Sequence, residues 1–480
     1  SVRVAEQLQQ SGISVGKFLP IIHYDLPPKP IDIADNKESR KKYRREAAEV
    51  MNKRAHEFKR SCRTRMTMEA VQRFKDRDRW FLPWSFDYRG RAYPIPAFLT
   101  PQDTDFGKSL INFADESYIT EDGKEWLAFQ CATTYGLDKA TMTERLSWTN
   151  DNIPLITRVA TDPIGNIGDW EAADEPWQFL AACEEYYAVV TKRTRNTTRL
   201  CVATDATCSG LQILAGLARD RKTAQLVNVL PSERPQDAYK VVAEAAKSSI
   251  PTTLHNVWDR KCVKRTVMTI PYNAKPFSNR SYIKDALKEK GVEIDKDELT
   301  FTVKAVRDAM NTVVPGPMAV MKWIEDEVSK AIKRGATELE WVTPSGFVVK
   351  QRIMKRKVDR ITLQLLGRCD ISVASTSNEV DLSRHKAATA PNLIHSLDAS
   401  LLHLSTIRFN HPIALIHDSV LTRAVDMDEL STIIRETYMH LFAERDYLTD
   451  FASQIGAESK PPIIGDLKPE SVIDSTYFFC

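Results

Sequence analysis

Hydrophobic and polar positions divide the chain into a polar helical segment followed by a mixture of helices and strands. Apolar residues recur with helical spacing in residues 176–194, 235–249, 300–334 and 427–445. Pro315-Gly316-Pro317 interrupts the third of these stretches. Strand-like patterns occupy residues 199–204, 338–350, 352–366 and 412–424. Because these helices and strands do not alternate regularly, the pattern predicts an α+β fold with clustered strands rather than a doubly wound sheet.

The first 80 residues are polar and strongly basic. Residues 1–35 predict a short helix followed by an extended stretch that contains three prolines. Between Lys37 and Arg79, helical blocks carry 16 Lys or Arg residues against 7 Asp or Glu residues. This charge fits either a solvated helix face or a long helical pair that lies along a phosphate backbone.

The whole chain, by contrast, is nearly neutral. Its 480 residues include 67 Lys or Arg and 64 Asp or Glu, a formal charge of +3, so any nucleic-acid-binding surface must be local. A hydrophobic content of 42% is typical of a folded globular protein and excludes bulk disorder. The length corresponds to about three domains.

Cysteine usage and apolar runs exclude several other classes of protein. The 8 cysteines form no C-x-x-C pair, which argues against a structural zinc site or a disulfide framework. No apolar run approaches the roughly 18–20 residues that cross a bilayer, and the first residues contain no signal-peptide core. The sequence therefore predicts a cytoplasmic protein with no membrane partner.

The segment RLCVATDATCSGLQILAGLARD contains the first candidate for chemistry. A short apolar strand, residues 200–203, places Asp205 at its end, and a turn of small residues leads into a helix that begins near Leu211. A carboxylate at a strand terminus can hold a metal ion, although an acid in this position more often caps a helix.

The segment HPIALIHDSVLTRAV contains the second candidate. Two apolar strand halves flank His417-Asp418-Ser419, so Asp418 lies at the tip of a hairpin where no helix needs a cap. A purely structural turn is the alternative interpretation. Two carboxylates from separate strands, however, are what a two-metal phosphoryl-transfer centre requires, with two Mg²⁺ ions about 3.5–4 Å apart.

The segment DRKCVKRTVMTIPYNAKPF contains the third candidate. Arg260, Lys264, Met268 and Tyr272 recur every fourth residue, as do Lys261 and Arg265, and they therefore predict one stripe along a helix. Pro271 predicts that the regular helix ends or kinks just before Tyr272. Cations followed by an aromatic ring suit a triphosphate and a sugar or base. An amphipathic basic helix on the protein surface is the alternative.

Together these segments resemble motifs A, B and C of the single-subunit polymerases. The chain as a whole resembles DNA-directed RNA polymerases of the T-odd bacteriophage type, a family that includes mitochondrial and chloroplast enzymes. The similar stretches, in family order, are FDYRGRAYPIP, PQDTDFGKSL, DATCSGLQ, VNVLPSERPQDAY, VKRTVMTIPY, WVTPSGFVV, APNLIHSLDAS and LIHDS. They extend from about residue 20 to the C-terminus, which makes accidental similarity a poor explanation.

The resemblance implies a right-hand cup of thumb, palm and fingers with an antiparallel palm sheet. The implied domains are the end of an N-terminal domain (1–30), the thumb (31–80), the palm (81–233, with a helical insertion at about 117–195), the fingers (234–394), and the second part of the palm with a C-terminal foot (395–480). The rest of the family's N-terminal domain is expected to have been removed or to lie on another chain.

The resemblance also implies a role for each candidate residue. The metal ligands would be Asp205, Asp418 and the Ala206 carbonyl, which would hold two Mg²⁺ ions. The catalytic and binding groups around the incoming ribonucleoside triphosphate would be Arg260, Lys264, Tyr239, Tyr272 and His395. Of these, Arg260 and Lys264 would meet the triphosphate, and Tyr272 and His395 would sense the ribose. The groups at the template or the RNA–DNA hybrid would be Arg89, Arg91 and Lys108.

Residues 353–384 align with the family's promoter-specificity hairpin, a two-stranded ribbon of a size that enters the major groove of double-stranded DNA. The alignment implies base reading by Arg360, Thr362, Asp370 and Ser372. Alternation along a strand places residues two apart on one face. A ribbon whose residues are merely solvated is the alternative. The resemblance places the protein in the cytoplasm of a phage-infected host cell or in an organelle.

Three local sequences differ from the family pattern. Ala206 replaces the usual glycine after the first aspartate, and a carbonyl ligand should tolerate the added methyl group. Pro271-Tyr272-Asn273 replaces a small residue followed by Tyr and Gly, which changes the expected geometry at the helix end. The chain ends in Cys480, beyond the aromatic residues of the expected apolar foot.

Two other classes of protein are alternatives. A DNA polymerase of the related A family would typically carry glutamate five residues after the first aspartate, where its bulk excludes a 2′-hydroxyl. Here that residue is Gly210, and Tyr272 with His395 can hydrogen-bond a ribose, so ribonucleotides are favoured. A nucleic-acid-binding protein without catalysis is disfavoured because Asp205 and Asp418 are both present.

Overall fold

The computed structural model of the chain describes residues 1–16, 18, 24–364, 369–462 and 465–479. The described helices are α1 (Val2–Gln10), α2 (Lys37–Phe74), α3 (Asp105–Ser109), α4 (Glu121–Tyr135), α5 (Met142–Asp151), α6 (Ile153–Thr161), α7 (Ile167–Trp170), α8 (Pro176–Tyr186), α9 (Ser209–Ala218), α10 (Arg221–Leu226), α11 (Ala238–Lys247), α12 (Arg260–Thr269), α13 (Pro276–Glu289), α14 (Lys296–Val313), α15 (Pro315–Lys333), α16 (Leu382–Arg408), α17 (Met427–Ala443) and α18 (Tyr447–Gln454). The described strands are β1 (Trp84–Phe86), β2 (Ala92–Pro94), β3 (Asn112–Tyr118), β4 (Thr197–Asp205), β5 (Leu339–Val342), β6 (Val348–Gln351), β7 (Met354–Leu363), β8 (Cys369–Val380), β9 (Ile413–Ile416) and β10 (Ser419–Arg423).

The predicted α+β class is confirmed. Every strand pairing that the structure describes is antiparallel, in three two-stranded hairpins and one larger sheet. The helix predicted over residues 300–334 is divided into α14 and α15 at Pro315, as its prolines indicate. The helix predicted over 176–194 is α8, which continues into a short π-helical turn at Tyr187–Thr191.

The larger sheet has the strand order β3-β4-β10-β9. Along β4, residues 198, 200, 202 and 204 are buried, whereas Asp205 is exposed. This alternation follows from the two-residue period of a strand with one face against the core. The same alternation places the Asp205 carboxylate on the open face of the sheet.

Two hydrophobic cores meet at this sheet. Leu200 and Val202 of β4 join a core that contains buried side chains of α1, α4, α6 and α8. Val420 of β10 joins a larger core built from α9 and the helices from α11 to α18. Because Val420 pairs with Thr204, it lies on the same face of the sheet as Leu200 and Val202, and both cores pack against that face.

The basic segment forms one long helix instead of the helical pair that its charge suggested. No glycine or proline interrupts residues 37–74, so nothing in the sequence breaks α2, which is roughly 57 Å long at 1.5 Å per residue. Asn36 caps its first turn by accepting hydrogen bonds from the Glu38 and Ser39 amides. Arg63 and Thr67 anchor its second half to the buried carboxylate of Asp103, at 2.9 and 3.1 Å.

The C-terminal residues pack against the start of α9. The Thr207 hydroxyl donates to the Tyr477 carbonyl at 2.8 Å, and the Gln212 amide donates to the Phe478 carbonyl at 3.0 Å. Phe479 forms an isolated backbone bridge with Ala206, directly after Asp205. The expected apolar foot is thus formed by residues up to 479, whereas Cys480 lies outside the described residues.

The hairpin expected at 353–384 consists of β7 and β8, with residues 365–368 of its tip outside the described part of the chain. Residues 382–384 already belong to α16. This helix runs unbroken from Leu382 to Arg408, so the expected boundary at 394–395 falls inside a helix. Within the residues that the structure describes, no helix has the length and apolar character needed to cross a membrane.

A buried carboxylate on α15 leads to a stability prediction. The Glu327 side chain is shielded from solvent and accepts hydrogen bonds from Lys330 Nζ, Ser459 Oγ and the Glu458 amide, each 2.6 Å long. Burial alone raises its pKa, but these hydrogen bonds outweigh it and lower the pKa from 4.5 to about 2. The depressed pKa stabilises the fold above pH 4.5, and this stabilisation is lost as the pH falls from 4.5 towards 2.

Glu327→Gln is therefore expected to reduce the free energy of unfolding by about 1–3 kcal/mol at pH 7 and by less at pH 3. Urea denaturation at both pH values measures the difference. The exposed Glu244, replaced by Gln in the same way, is the control and should change stability by less than about 0.5 kcal/mol. A Glu327→Gln effect of equal size at both pH values would contradict the assignment.

Candidate active site

The sheet brings the two candidate carboxylates together. Asp205 is the last residue of β4 and pairs directly with Ser419, the first residue of β10. Asp418 immediately precedes Ser419, in the tight turn between β9 and β10. His417 allows this turn by adopting a left-handed conformation with φ of 58°. The predicted hairpin tip is therefore confirmed, and it lies beside the end of β4.

Two serine hydroxyls hold these carboxylates in place. Ser419 Oγ donates to Asp205 Oδ1 at 2.6 Å, and Ser209 Oγ, at the start of α9, donates to Asp418 Oδ2 at 2.5 Å. Asp205 keeps contact with solvent, yet surrounding protein excludes much of the water from its carboxylate. This desolvation, followed by the charge of Asp418, raises the pKa of Asp205 from 3.8 to about 6.

The donor set at this position fits a hard divalent cation. Two neighbouring carboxylates repel each other, and a cation between them would remove that repulsion. Among the described residues, no group of three or more His, Cys, Asp or Glu side chains converges as a metal cage. One or two carboxylates completed by water and phosphate oxygens is the arrangement that Mg²⁺ prefers. The helix-cap alternative for Asp205 is wrong, since Cys208 is the N-cap of α9.

The basic stripe lies on the outer face of α12. The stripe contains Arg260, Lys264 and Met268. The opposite face of the helix is buried in the core and contains Cys262, Val263, Thr266 and Val267. The helix ends at Thr269, so the break predicted before Tyr272 is confirmed.

The unusual asparagine after Tyr272 has a clear structural role. Asn273 adopts a left-handed conformation with φ of 60°, which glycine adopts readily and asparagine tolerates. Its side-chain amide donates to Glu325 Oε1 at 2.7 Å and to the Ala387 carbonyl at 3.1 Å. Asn273 therefore makes the turn expected of glycine and also fixes the end of α12 to α15 and α16.

A cleft beside the carboxylates is lined by Arg260, Tyr239 and Cys208. The Arg260 guanidinium bonds to the Asp237 carboxylate and lies 5.3 Å from the centre of the Tyr239 ring. The Tyr239 hydroxyl donates to Cys208 Sγ at 3.5 Å. Arg260 and Tyr239 thus lie together in this cleft, whereas the expected position of Tyr239 near Tyr272 and His395 stays a prediction.

Lys139 is a cleft residue that sequence reasoning missed. It lies in the connection between α4 and α5 and lines the same cleft as Arg260. Its positive charge partly opposes the rise in the pKa of Asp205. An isolated lysine in a helical connection has no sequence signal that separates it from other surface lysines. Lys264 is exposed one turn after Arg260, and the structure describes no ion pair for its side chain.

Tyr272 lies between His395 and the glycine of α9. The Tyr272 and His395 rings are 4.7 Å apart between their centres, at an angle of 34°. A Cβ atom on Gly210 would lie 3.0 Å from the Tyr272 hydroxyl and 3.2 Å from its Cζ atom. Any side chain at position 210 would therefore push Tyr272 away from its present position.

The structure places Arg89 and Arg91 directly behind this ring pair. Arg89 bonds to Asp87 and to His395 Nδ1, and Arg91 Nε donates to Asp398 Oδ1 at 3.0 Å. Burial raises the pKa of Asp398 to about 7, although the Arg91 hydrogen bond opposes this. Lys108 lies on α3, apart from these pairs. Contact of these three cations with the template remains a prediction.

The hairpin brings its four candidate base-reading residues onto one face. Arg360 pairs with Ser372, and Thr362 pairs with Asp370, two positions further along the ribbon. The Thr362 hydroxyl also donates to Asp370 Oδ1 at 2.7 Å. All four residues are exposed, so the predicted alternation is confirmed, whereas base reading itself remains a prediction.

Comparison with known proteins shows what the chain is similar to. The sequence profile of the family described as DNA-dependent RNA polymerase matches residues 117–463. A DNA-directed RNA polymerase of Enterobacteria phage K11 is 29% identical over 97% of this chain and 59% of its own length. For the Enterobacteria phage T3 enzyme the identity is 28%, over 95% of this chain and 59% of that protein. Arabidopsis thaliana DNA-directed RNA polymerase 2, chloroplastic/mitochondrial, is 29% identical over 99% of this chain and 50% of its length.

The matched profile covers well over half of the chain. The chain therefore belongs to the DNA-dependent RNA polymerase family. It spans between 50% and 59% of the length of these three relatives.

The contact between Gly210 and Tyr272 leads to a prediction. Replacing a glycine by alanine usually stabilises a protein by about 0.4–1 kcal/mol where alanine can adopt the same backbone conformation without strain. Gly210→Ala is instead expected to destabilise by about 1–2 kcal/mol, because its Cβ would press on the Tyr272 hydroxyl. In a Tyr272→Phe background the hydroxyl is absent, so Gly210→Ala should reduce the free energy of unfolding by less. Urea denaturation of the two single variants and the double variant measures this coupling.

Gly168 in α7 is the matched control, since a Cβ there would meet nothing within 4 Å. Gly168→Ala should be neutral or stabilising. A stabilising Gly210→Ala would show that position 210 has room for a side chain and would contradict the packing described.

Proposed function

We propose that the chain is the catalytic region of a DNA-directed RNA polymerase. It would copy a DNA template by transferring nucleotides from ribonucleoside triphosphates to the 3′ end of an RNA transcript, with release of pyrophosphate. The observation that carries this proposal is the pairing of Asp205 with Ser419, which places two carboxylates side by side next to a cleft lined by Arg260 and Lys139. Membership of the RNA polymerase family supports the same reaction.

Two sets of residues would act at the phosphates of the incoming nucleotide. Asp205 and Asp418, with the Ala206 carbonyl, would hold two Mg²⁺ ions. The ions, when bound, supply activation of the attacking hydroxyl and charge stabilisation at the leaving pyrophosphate. Arg260 and Lys264 would bind the triphosphate. The attraction between such cations and the phosphates becomes stronger as negative charge moves onto the leaving pyrophosphate.

The contact at Gly210 favours ribonucleotides over deoxyribonucleotides. A glutamate at this position, as in the related DNA polymerases, has no room while Tyr272 lies 3.0 Å from the site of its Cβ. Without that side chain, nothing at position 210 excludes a 2′-hydroxyl. Tyr272, His395 and nearby Tyr239 would line the ribose site, and the two phenols and the imidazole can hydrogen-bond a hydroxyl.

The remaining elements fit a polymerase cup. The exposed face of α2 would be the thumb along the RNA–DNA hybrid, and α11 to α15 would belong to the fingers. The sheet of β3, β4, β10 and β9 would be the palm. Arg89, Arg91 and Lys108 would lie towards the template side. The cytoplasm of a phage-infected cell, or an organelle, is the setting that the named relatives suggest.

The decisive experiment is extension of a primed RNA–DNA hybrid with ribonucleotides and, separately, with deoxyribonucleotides. We expect Mg²⁺-dependent extension that prefers ribonucleotides. Asp205→Asn and Asp418→Asn should each reduce extension by at least about 1,000-fold, because removing one carboxylate removes charge that binds the ions. The double variant should be hardly worse than either single variant, since the two carboxylates act as a unit.

Asp450→Asn, at an exposed position of α18, is the control for loss of a carboxylate as such. Filter binding of the hybrid should be similar for all of these variants. Near-normal extension by Asp418→Asn would overturn the metal-site assignment. Extension with deoxyribonucleotides alone would identify a DNA polymerase, and tight hybrid binding without extension would identify a non-catalytic protein.

Lys264 provides a second prediction with a neighbour as control. Lys264→Ala should lower kcat/KM for the ribonucleotide by about 10-fold to 100-fold, as expected for a charged contact to a phosphate. Lys284 is exposed on the neighbouring helix α13 and lies outside the stripe. Lys284→Ala should therefore change kcat/KM less than threefold, since a solvated lysine contributes about 0.5 kcal/mol or less. If Lys264→Ala abolishes hybrid binding instead, the stripe is a nucleic-acid track.

The β7–β8 hairpin would enter the major groove, and its exposed face would read promoter bases. Thr362→Asn or Ser372→Asn should change the base recovered at one position when duplex DNA with randomised promoter bases is selected for binding. Extension of a primed hybrid, which needs no promoter, checks that each variant is folded. An identical consensus from the wild-type protein and both variants would exclude base reading by these residues.

A further inference from the structure

A hydrogen bond between distant parts of the chain determines the protonation of His395. Arg89 Nη1 lies 2.5 Å from His395 Nδ1. A guanidinium group carries only donors and does not lose its proton in proteins, so it must be the donor in this contact. Nδ1 is therefore the acceptor and carries no hydrogen. In a neutral imidazole the single ring proton must then be on Nε2.

The surroundings of His395 keep the ring neutral. Burial is the largest effect, and the charges of Arg91, Arg89 and His417 add to it, so that the pKa of His395 falls from 6.5 to about 2. The acid on its own helix, Asp398, is already neutralised by Arg91 through two hydrogen bonds. The Tyr272 ring covers His395 from the side of α12.

Arg89 is itself held firmly. Asp87 Oδ2 accepts hydrogen bonds from Arg89 Nε at 3.0 Å and from Arg89 Nη2 at 2.6 Å. The turn that carries Arg89 is fixed to α16, because His403 Nε2 lies 2.8 Å from the Gly90 carbonyl. Gly90 has φ of 98°, which explains the glycine at this turn. The direction of the Arg89 guanidinium is therefore determined before any substrate binds.

We propose that Arg89 is a positioning residue that holds His395 in the Nε2–H tautomer, so that this imidazole presents a hydrogen-bond donor to the ribose of the incoming nucleotide. The proposal rests on the proposed function for its sugar-sensing step, whereas the tautomer itself does not depend on any activity. It gives Arg89 a role in sugar selection that is separate from contact with the template.

The tautomer is tested first in the substrate-free protein. The chain is labelled with ¹⁵N-histidine, and long-range ¹H–¹⁵N spectra are recorded at pH 7, with His395 assigned by its loss in His395→Ala. We expect a non-protonated Nδ1 and a protonated Nε2 in the wild-type protein. Arg89→Met should give a mixture of tautomers or a charged ring, and Arg89→Lys should retain the wild-type pattern because lysine also only donates. A protonated Nδ1 in the wild-type protein would overturn the proposal.

His403 controls for the fold in the same spectra. His403 contacts the Gly90 carbonyl. Its ring signals should therefore be the same in Arg89→Met as in the wild-type protein if the turn is intact. If they change, the wild-type spectrum and Arg89→Lys still decide the tautomer, since neither depends on the Met variant.

The functional part compares kcat/KM for ribonucleotides with kcat/KM for deoxyribonucleotides. Arg89→Met should lower this ratio by roughly threefold to tenfold, the size of one hydrogen bond, and Arg89→Lys should restore most of it. In a His395→Ala background, Arg89→Met should lower the ratio no further, because Arg89 acts through the imidazole. An equal loss in both backgrounds would assign Arg89 to another role. If the wild-type protein extends no primer, the proposed function fails while the spectra still test the tautomer.

Discussion

The pairing between β4 and β10 is the constraint on which the rest of the site depends. Asp205 and Asp418 are separated by more than 200 residues in the sequence, and the antiparallel register places them next to each other. Two helical cores pack against the buried face of the sheet and fix its strands, so the two negative charges are held close despite their repulsion. Burial, and then the charge of the neighbouring Asp418, raise the pKa of Asp205 as a result.

Helix α16 links the carboxylates to the ribose end of the site. His395 and Asp398 contact the arginines of the turn after β1, and His403 contacts the Gly90 carbonyl of the same turn. Pro391 lies inside this helix, yet the helix continues from Leu382 to Arg408 because most of its residues are buried. The helix therefore fixes this turn at three points, and Arg89 of the turn fixes the His395 imidazole.

The C-terminal residues pack against the start of α9. Thr207 and Gln212 donate to carbonyls of Tyr477 and Phe478, and Phe478 packs on Tyr438 at 4.9 Å between ring centres. Ser209, on the same first turn of α9, donates to Asp418. Packing at the C-terminus is thus connected through the first turn of α9 to the carboxylate pair.

The sequence by itself determined the features that depend on local spacing. A short apolar run predicted Asp205 at a strand end, Pro271 predicted the end of α12, and the order of elements predicted an α+β fold. Lys139, and the contact of Arg89 with His395, became identifiable only in the tertiary structure. Arg89 meets His395 across 306 residues, and Lys139 enters the cleft from a helical connection. Such contacts have no local period, because they depend on how separate elements pack against one another.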